Sequence, residues 1–369
     1  MGAVTIFHDQ HIQLNAKMIN FGGWEMPIHY GSQISEHLHT RGAASLFDVS
    51  HMAVVDIKGA DCYVFLQKLL ANNIDKLQGD GQALYSCMLN QLGGILDDLI
   101  VYKVDDFYRL VINASTAEAD LEWMRSVAKD FLGIEIIPRR SNLQGMQSPL
   151  VLLALQGPQC LHFLKQVFPL ISEEISEIPY FGSKRFETNF GEIMFSRTGY
   201  TGEDGFELFL PIASGCQIWD LFIQQGVLPA GLGARDTLRI EAGYNLYGQD
   251  MSVGVNPFDC GLAWTVDLSN ERNFLGSSAL RSYTKKFAFV GLVLLGKGIL
   301  RAHQIIKTEF GDGEITSGTF SPSLQKSIAF ARVPLLVPIA SQVEVVIRDQ
   351  TIPAKVVKTS FVRRGKNLI

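Results

Sequence analysis

The chain has 369 residues, which at ~150 residues per domain predicts two or three domains and excludes a single small module. Hydrophobic residues make up 47% and charged residues 19%, with 23 Phe and 10 Tyr, so there is material for more than one packed core and disorder is argued against. With 32 Lys+Arg against 37 Asp+Glu the net charge is -5 and no basic run exceeds a pair, so no nucleic-acid face is written here, and the apolar runs at 149–155 and 287–295 fall short of the ~20 residues that span a membrane.

The start, Met-Gly-Ala-Val-Thr-Ile, lacks the basic and long apolar regions of a signal peptide, and Ile6 stands where a myristoylation motif has Ser or Thr. Cys62, Cys87, Cys160, Cys216 and Cys260 form an odd, scattered set without a CxxC pair. That pattern argues against a disulfide framework or a structural zinc and for a reducing compartment, the cytoplasm or, in a eukaryote, the mitochondrial matrix.

In chain order, periodicity predicts a strand over 54–58 and then a helix from Asp61 with Phe65, Leu66, Leu69 and Leu70 on one face. Strands follow over 83–90, 95–104 and 107–113, joined by Gln91-Leu92-Gly93-Gly94 and by Asp105-Asp106, which makes a three-stranded meander. Ser115 and Glu118 read as a capping box, opening a helix whose Ala117, Leu121, Met124, Ala128 and Phe131 share a face. Together these segments resemble a split strand–helix–strand unit that closes near Pro138.

The polar stretch 139–148 predicts a domain boundary. After it come a helix led by Pro158 and running to Val167, a hairpin over 191–211 with its loop at 198–204, a helix over 218–225 stopped by Gly226, and a helix over 235–242. Beyond about Lys285, apolar strands over 287–295, 328–333, 342–347 and 352–357 predict an all-β C-terminal domain.

Asp97-Asp98 is the most informative pair, since both acids lie in an otherwise apolar strand. Alternation groups Asp97 with Ile95, Leu99, Val101 and Lys103, and Asp98 with Leu96, Ile100, Tyr102 and Val104. Asp98 thus belongs to the uncharged face, where desolvation holds a carboxyl proton more tightly and suits proton transfer near neutral pH. The bland reading has one acid capping the turn and the other pairing with Lys103.

Residues 197–207, Arg-Thr-Gly-Tyr-Thr-Gly-Glu-Asp-Gly-Phe-Glu, place glycines and acids at a hairpin tip. Glu207 is either a buried acceptor for a ligand's N–H groups or the partner of an arginine. The Gly-Leu-Gly-Ala-Arg-Asp at 231–236 lacks the third glycine of a dinucleotide loop, leaving Arg235 as structural or as an anion ligand. His8, His11, His37, His39 and His51 show no diagnostic metal spacing, and Ser323-x-x-Lys326 lacks its companion motifs.

Seven segments, in order, resemble one family: Phe-Gly-Gly-Trp-Glu-Met-Pro at 21–27, Phe-Asp-Val-Ser-His-Met at 47–52, Gly-Gly-Ile-Leu-Asp-Asp-Leu-Ile-Val-Tyr at 93–102, the 197–207 segment, Gly-Leu-Gly-Ala-Arg-Asp-Thr-Leu-Arg at 231–239, Leu-Tyr-Gly-Gln-Asp at 246–250 and Ile-Thr-Ser-Gly-Thr-Phe-Ser-Pro at 315–322. The chain is similar over essentially its whole length to the glycine cleavage system T-proteins, the aminomethyltransferases. The resemblance implies an α+β, three-domain cloverleaf: a discontinuous folate-binding first domain (1–50 and 141–275), a ferredoxin-like second (51–140) and a β-barrel or jelly-roll-like third (276–369).

It also implies a reaction. The methylene carbon of an aminomethyl group, carried on the dihydrolipoyl arm of H-protein, passes to tetrahydrofolate as co-substrate, and ammonia leaves. In that carry-over Asp98 is the catalytic acid, Glu207 grips the pterin N–H groups, and Tyr85, Tyr102, Tyr200 and Asn113 line the cavity. Arg235 is a ligand-binding arginine, and Tyr244 and Arg363 lie toward the glutamate tail, with Arg364 an equal candidate for the last place. No metal, membrane or nucleic acid is implied. Ser45 and Gln325 replace common glycines away from this chemistry.

Rival readings are a folate-dependent demethylase of a small methylated amine or sulfonium compound, a non-catalytic folate protein of iron–sulfur maintenance, and a nicotinamide enzyme. The second expects a Lys-Gly-Cys-Tyr-x-Gly-Gln segment, which this chain lacks, and the third rests on Gly231 and Gly233 alone.

Overall fold

The strand Ala53–Lys58 sends Val55 and Ile57 to one side and Val54 to the other, and all three are buried. Such a strand belongs inside a sheet covered on both faces. The computed structural model, which describes residues 2–140, 148–348 and 350–369, shows this sheet. Five antiparallel strands run in the order Ala83–Leu89, Ile95–Val104, Phe107–Ile112, Ala53–Lys58, Glu135–Pro138. The helices Cys62–Leu69 and Ala117–Ala128 cover one face through Phe65, Leu66, Leu121 and Met124. The predicted meander is present. The capping box is not: the helix starts after Thr116, which has αR dihedrals unlike an N-cap and turns its hydroxyl back onto the Asn113 carbonyl.

A six-stranded sheet, ordered Ser183–Thr188, Gly191–Ser196, Gly205–Pro211, Leu150–Gln156, Ser45–Asp48, Leu228–Pro229, packs against the other face of the first. Alternation again divides its residues. Phe206, Leu208 and Leu210 meet Trp219 and Phe222 of the helix Ile212–Gln224, whereas Phe209, Leu152 and Ala154 meet Tyr102, Val104 and Val111 of the five-stranded sheet. Residue 98, on the Tyr102 face, and residue 207, on the Phe209 face, therefore point into the same inter-sheet space. The expected boundary at 139–148 falls largely on residues 141–147, which lie outside the described residues.

The N-terminal region, not read as strands from periodicity, forms a small sheet ordered Ala3–Val4, Trp24–His29, Lys17–Phe21. On it and on the helix Gln33–Gly42 rests the helix Leu232–Ala242. A Cβ at Gly231 would lie 2.5 Å from the Ile28 carbonyl, so the glycines of 231–236 serve close helix packing.

The C-terminal region is a closed six-stranded barrel: Phe287–Leu294, Lys326–Pro334, Gly311–Ser321, Ile305–Thr308, Gln342–Ile347, Gln350–Val357. The second half of the sequence pattern missed Ile305–Thr308 and Gly311–Ser321, the latter rich in Gly, Thr and Ser. A bulge between Ile315 and Ser317 turns the neighbouring Thr316 and Ser317 side chains onto one carboxylate, Asp250, at 2.5 and 2.9 Å. Among the described residues no helix is long and apolar enough to cross a membrane.

Candidate active site

Asp98 lies near the turn end of the strand Ile95–Val104, opposite Cys87 of the neighbouring strand. Its Oδ2 accepts from the Tyr85 hydroxyl at 2.7 Å and its Oδ1 from Asn113 Nδ2 at 2.8 Å. Burial pushes its pKa up to about 7, the Asp97 carboxyl adds to the rise, and the bonds from Tyr85 and Asn113 oppose it. A carboxyl poised there exchanges a proton readily at neutral pH.

Asp97 faces the other way, into the helix-covered core, and is fully buried. Desolvation thus falls on both acids, not on Asp98 alone as alternation suggested. Asp97 accepts from the Asn113 backbone N–H at 3.0 Å and from its Nδ2 at 2.7 Å. It forms no pair with Lys103 among the described residues: six residues of strand separate them by about 20 Å, so a shared face does not mean contact.

Glu207 is 8% exposed and accepts from Thr198 Oγ1 at 2.5 Å. It forms no salt bridge among the described residues, because Arg197 of the same hairpin pairs with Asp204 instead, at 2.6 Å. Tyr102 is fully buried, packs edge-on against Phe209 and reaches Thr198 Oγ1 at 3.2 Å. It supports Glu207 through Thr198 more than it offers a ring face.

Arg235, in the first turn of Leu232–Ala242, lays its guanidinium over the Tyr200 ring at 4.8 Å. Its Nη1 is buried and has no hydrogen-bond partner. Burial lowers its pKa while Glu207 and Tyr200 oppose the loss of charge. A buried, unpaired cationic donor costs free energy unless a ligand meets it. Tyr200 also stacks on Tyr244 with centroids 5.7 Å apart, and its hydroxyl donates to the Asn245 carbonyl.

The fold thus brings Asp98, Tyr85 and Asn113 into one hydrogen-bonded group, and Glu207, Arg235, Tyr200 and Tyr244 into a connected wall. Burial pushes the Tyr200 phenol up, and the Asp98 carboxyl adds to that rise. Arg363 sits apart, exposed in a short hairpin; it and Arg364 both act on Tyr180, beside Tyr244, and neither is singled out.

Sequence reasoning missed Trp264, which stacks on Tyr85 at 5.4 Å from far along the chain, and Thr198 as the Glu207 donor. It also missed Asp120, although that acid stands one turn from Ala117 and Met124 on the apolar stripe of its helix, which is a signal. The histidines are placed differently from one another: His11 meets Asp48 at 3.0 Å, His37 meets Glu241 at 3.1 Å, and His51 is buried with Nδ1 unpaired.

Residues 7–270 match the GCVT N-terminal domain and residues 288–363 the Glycine cleavage T-protein C-terminal barrel domain. The chain is 52% identical to an aminomethyltransferase of Cupriavidus pinatubonensis and 54% identical to one of Ralstonia pickettii, each over 97% of both chains. It superposes on the crystal structure of glycine cleavage system aminomethyltransferase T from Bartonella henselae with a TM-score of 0.87, at 32% identity over 99% of each chain. The chain belongs to the glycine cleavage T-protein family, the aminomethyltransferases of the glycine cleavage system.

Proposed function

We propose that this site passes the methylene carbon of an aminomethyl group, held on the dihydrolipoyl arm of H-protein, to tetrahydrofolate, with Asp98 as the proton-handling residue. The observation that carries the reading is the Asp98 carboxyl itself, held at both oxygens by Tyr85 and Asn113 and poised at about 7 in the space between two sheets. Tetrahydrofolate fits the residues present. Glu207 supplies a buried acceptor for paired N–H groups, and the unpaired Arg235 Nη1 supplies a donor.

Two folate nitrogens gain bonds to the methylene carbon, its bonds to the amine nitrogen and to sulfur break, and the two N–H protons end on ammonia and on the thiol. In this reading the Asp98 carboxylate accepts the first of these protons and returns it to the departing amine. Tyr85 and Asn113 fix the direction of its lone pairs, and Tyr200 walls the flat ring, so positioning carries a share of the rate. Tyr244 and the Arg363–Arg364 pair lie toward the folate tail.

Single-turnover formation of 5,10-methylenetetrahydrofolate and ammonia from aminomethylated H-protein tests the reading. The natural chain yields both products. Asp98→Asn, which keeps the shape and removes the titrating group, loses turnover by about 100-fold or more and keeps folate affinity within a few-fold. Undiminished turnover in that variant, or turnover of a small methylated amine without H-protein, overturns it.

A further inference from the structure

Trp264 is 62% exposed, in a single 3-10 turn, Ala263–Thr265, far along the chain from Asp98. An exposed tryptophan by itself calls for no explanation. This one lies face to face with Tyr85, the ring centroids 5.4 Å apart and the planes tilted by 21°. Among the described residues no other ring pairs with Tyr85, and its hydroxyl donates to Asp98 Oδ2, at 2.7 Å.

That hydrogen bond depends on where the Tyr85 ring lies. Tyr85 stands opposite Ile100, so its side chain reaches Asp98 diagonally, two residues along the neighbouring strand. Tyr85 is only partly buried, and a tyrosine held at its hydroxyl alone can swing to another rotamer and leave the carboxyl to water. An indole lying on the ring blocks that swing.

The indole is itself held from behind. Thr265, fully buried, lies with its hydroxyl 2.8 Å from the Leu262 carbonyl and 3.3 Å from Cys87 Sγ, and Cys87 is the residue paired with Asp98 across the ladder. The Asp267 N–H bonds the Ala71 carbonyl at 3.0 Å, and the Ala71 N–H bonds the Cys87 carbonyl at 3.0 Å. Leu262 packs among Leu89, Met251 and Phe274. Trp264 is thus an exposed side chain on a support fastened to the strand that carries Tyr85.

We propose that Trp264 is a positioning residue for the proton transfer: its indole holds the Tyr85 ring so that the Tyr85 hydroxyl stays on Asp98. The inference rests on the role given to Asp98 above. The other titratable groups around Asp98 are Asp97 on its own strand, Cys87 on the neighbouring strand, Asp120 on the helix Ala117–Ala128, Tyr200 in the 198–204 loop, and Tyr247 and Cys260 in the segment leading to the barrel. Among the described residues none of these hydrogen-bonds to Asp98 and none stacks on Trp264, so a change at Trp264 reaches Asp98 through Tyr85. Tyr85 donates to the ionised carboxyl and favours it. Loosening that bond raises the proton affinity of Asp98 and moves the acidic limb of the rate to higher pH.

The experiment records the pH profile of single-turnover transfer from aminomethylated H-protein at saturating tetrahydrofolate, with folate affinity from calorimetry. The variants are Trp264→Ala, Trp264→Phe, Tyr85→Phe and the double variant Trp264→Ala with Tyr85→Phe. Trp264→Ala should slow transfer roughly 3- to 10-fold and move the acidic limb up by about half a pH unit, with folate affinity within about two-fold. Trp264→Phe keeps a ring on Tyr85 and should stay within about two-fold of the natural rate. Tyr85→Phe should move the limb in the same direction, and Trp264→Ala should move it no further in that background, since the bond it acts through is already gone. A limb that stays in place or moves down in Trp264→Ala, a shift that persists in full beside Tyr85→Phe, or a loss confined to folate or H-protein affinity overturns the inference. NMR titration of the Asp98 carboxyl carbon reads the same midpoints without turnover. If Asp98→Asn keeps its turnover while those midpoints move as stated, the role of Asp98 fails and the hold of Trp264 on Tyr85 stands.

Discussion

A carboxylate with both oxygens occupied by neutral donors, yet with a proton affinity near neutrality, marks Asp98 as a group held between two states. Burial and the adjacent Asp97 raise its affinity for the proton, while Tyr85 and Asn113 bond the ionised form. Glu207 has a different task. It is held by one hydroxyl, from Thr198, and faces the unpaired Arg235 across the site, the arrangement of a fixed acceptor awaiting N–H donors. Removing it takes away a charge-assisted hydrogen bond worth ~1.5 to 3 kcal/mol. Glu207→Ala should therefore weaken tetrahydrofolate binding by roughly ten- to a hundred-fold in calorimetry. Because Glu207 does not touch Asp98, the pH midpoint of single turnover at saturating folate should stay in place. Unchanged affinity removes Glu207 from the binding wall.

At the scale of elements, the site depends on two sheets facing each other and on one helix start. Leu232–Ala242 delivers Arg235 because Gly231 lets its first turn press on the strand Trp24–His29. A methyl group at Gly231 collides with backbone at Ile28, which has no rotamer to yield, so Gly231→Ala should cost about 1 to 3 kcal/mol of stability. It should also move Arg235 off Tyr200 and weaken folate binding, read together by thermal unfolding and calorimetry. A variant equal to the natural chain in both would show that the contact is not needed. The period-2 pattern made the meander around Asp98 readable to within a residue, and it correctly set Asp97 and Asp98 on opposite faces. It did not reveal what lay beyond each face. The partners of Asp97 and Glu207 come from Asn113 and Thr198, and the stack on Tyr85 comes from Trp264; alternation along one strand names none of them. The barrel strand Gly311–Ser321 escaped notice for a related reason. Its glycines and hydroxyl residues look like a loop, and they serve instead a close approach at Gly318 to the Leu300 carbonyl and a bulge that grips Asp250.

Across the whole molecule, the helix Leu232–Ala242 is fastened to the barrel by buried charge as well as by apolar contact. Arg239 meets Asp250 at 2.7 Å and Ser317 at 2.9 Å. Two residues further on, Glu241 accepts from barrel residues Ser321 and Ser323, at 2.5 and 2.8 Å, and from Arg41, at 2.9 Å, on the helix Gln33–Gly42; His37 of that helix lies 3.1 Å away. Burial alone would raise the Glu241 pKa, but His37, Arg41 and Ser321 together pull it down to about 2. A carboxyl with its folded-state pKa below the unfolded value stabilises the fold above the unfolded pKa and loses that contribution as pH falls through the folded one. The window here runs from the ordinary value of 4.5 down to about 2. The shift corresponds to about 3 kcal/mol for a group this deeply buried. Glu241→Gln should therefore unfold at lower urea than the natural chain at pH 7, with the barrel separating from the helix, and the gap should narrow steadily between pH 4.5 and pH 3 as the natural carboxylate takes up its proton. A gap that holds constant with pH would assign the cluster's contribution to packing and neutral hydrogen bonds, and the Glu241 charge would then have no part in holding the barrel in place.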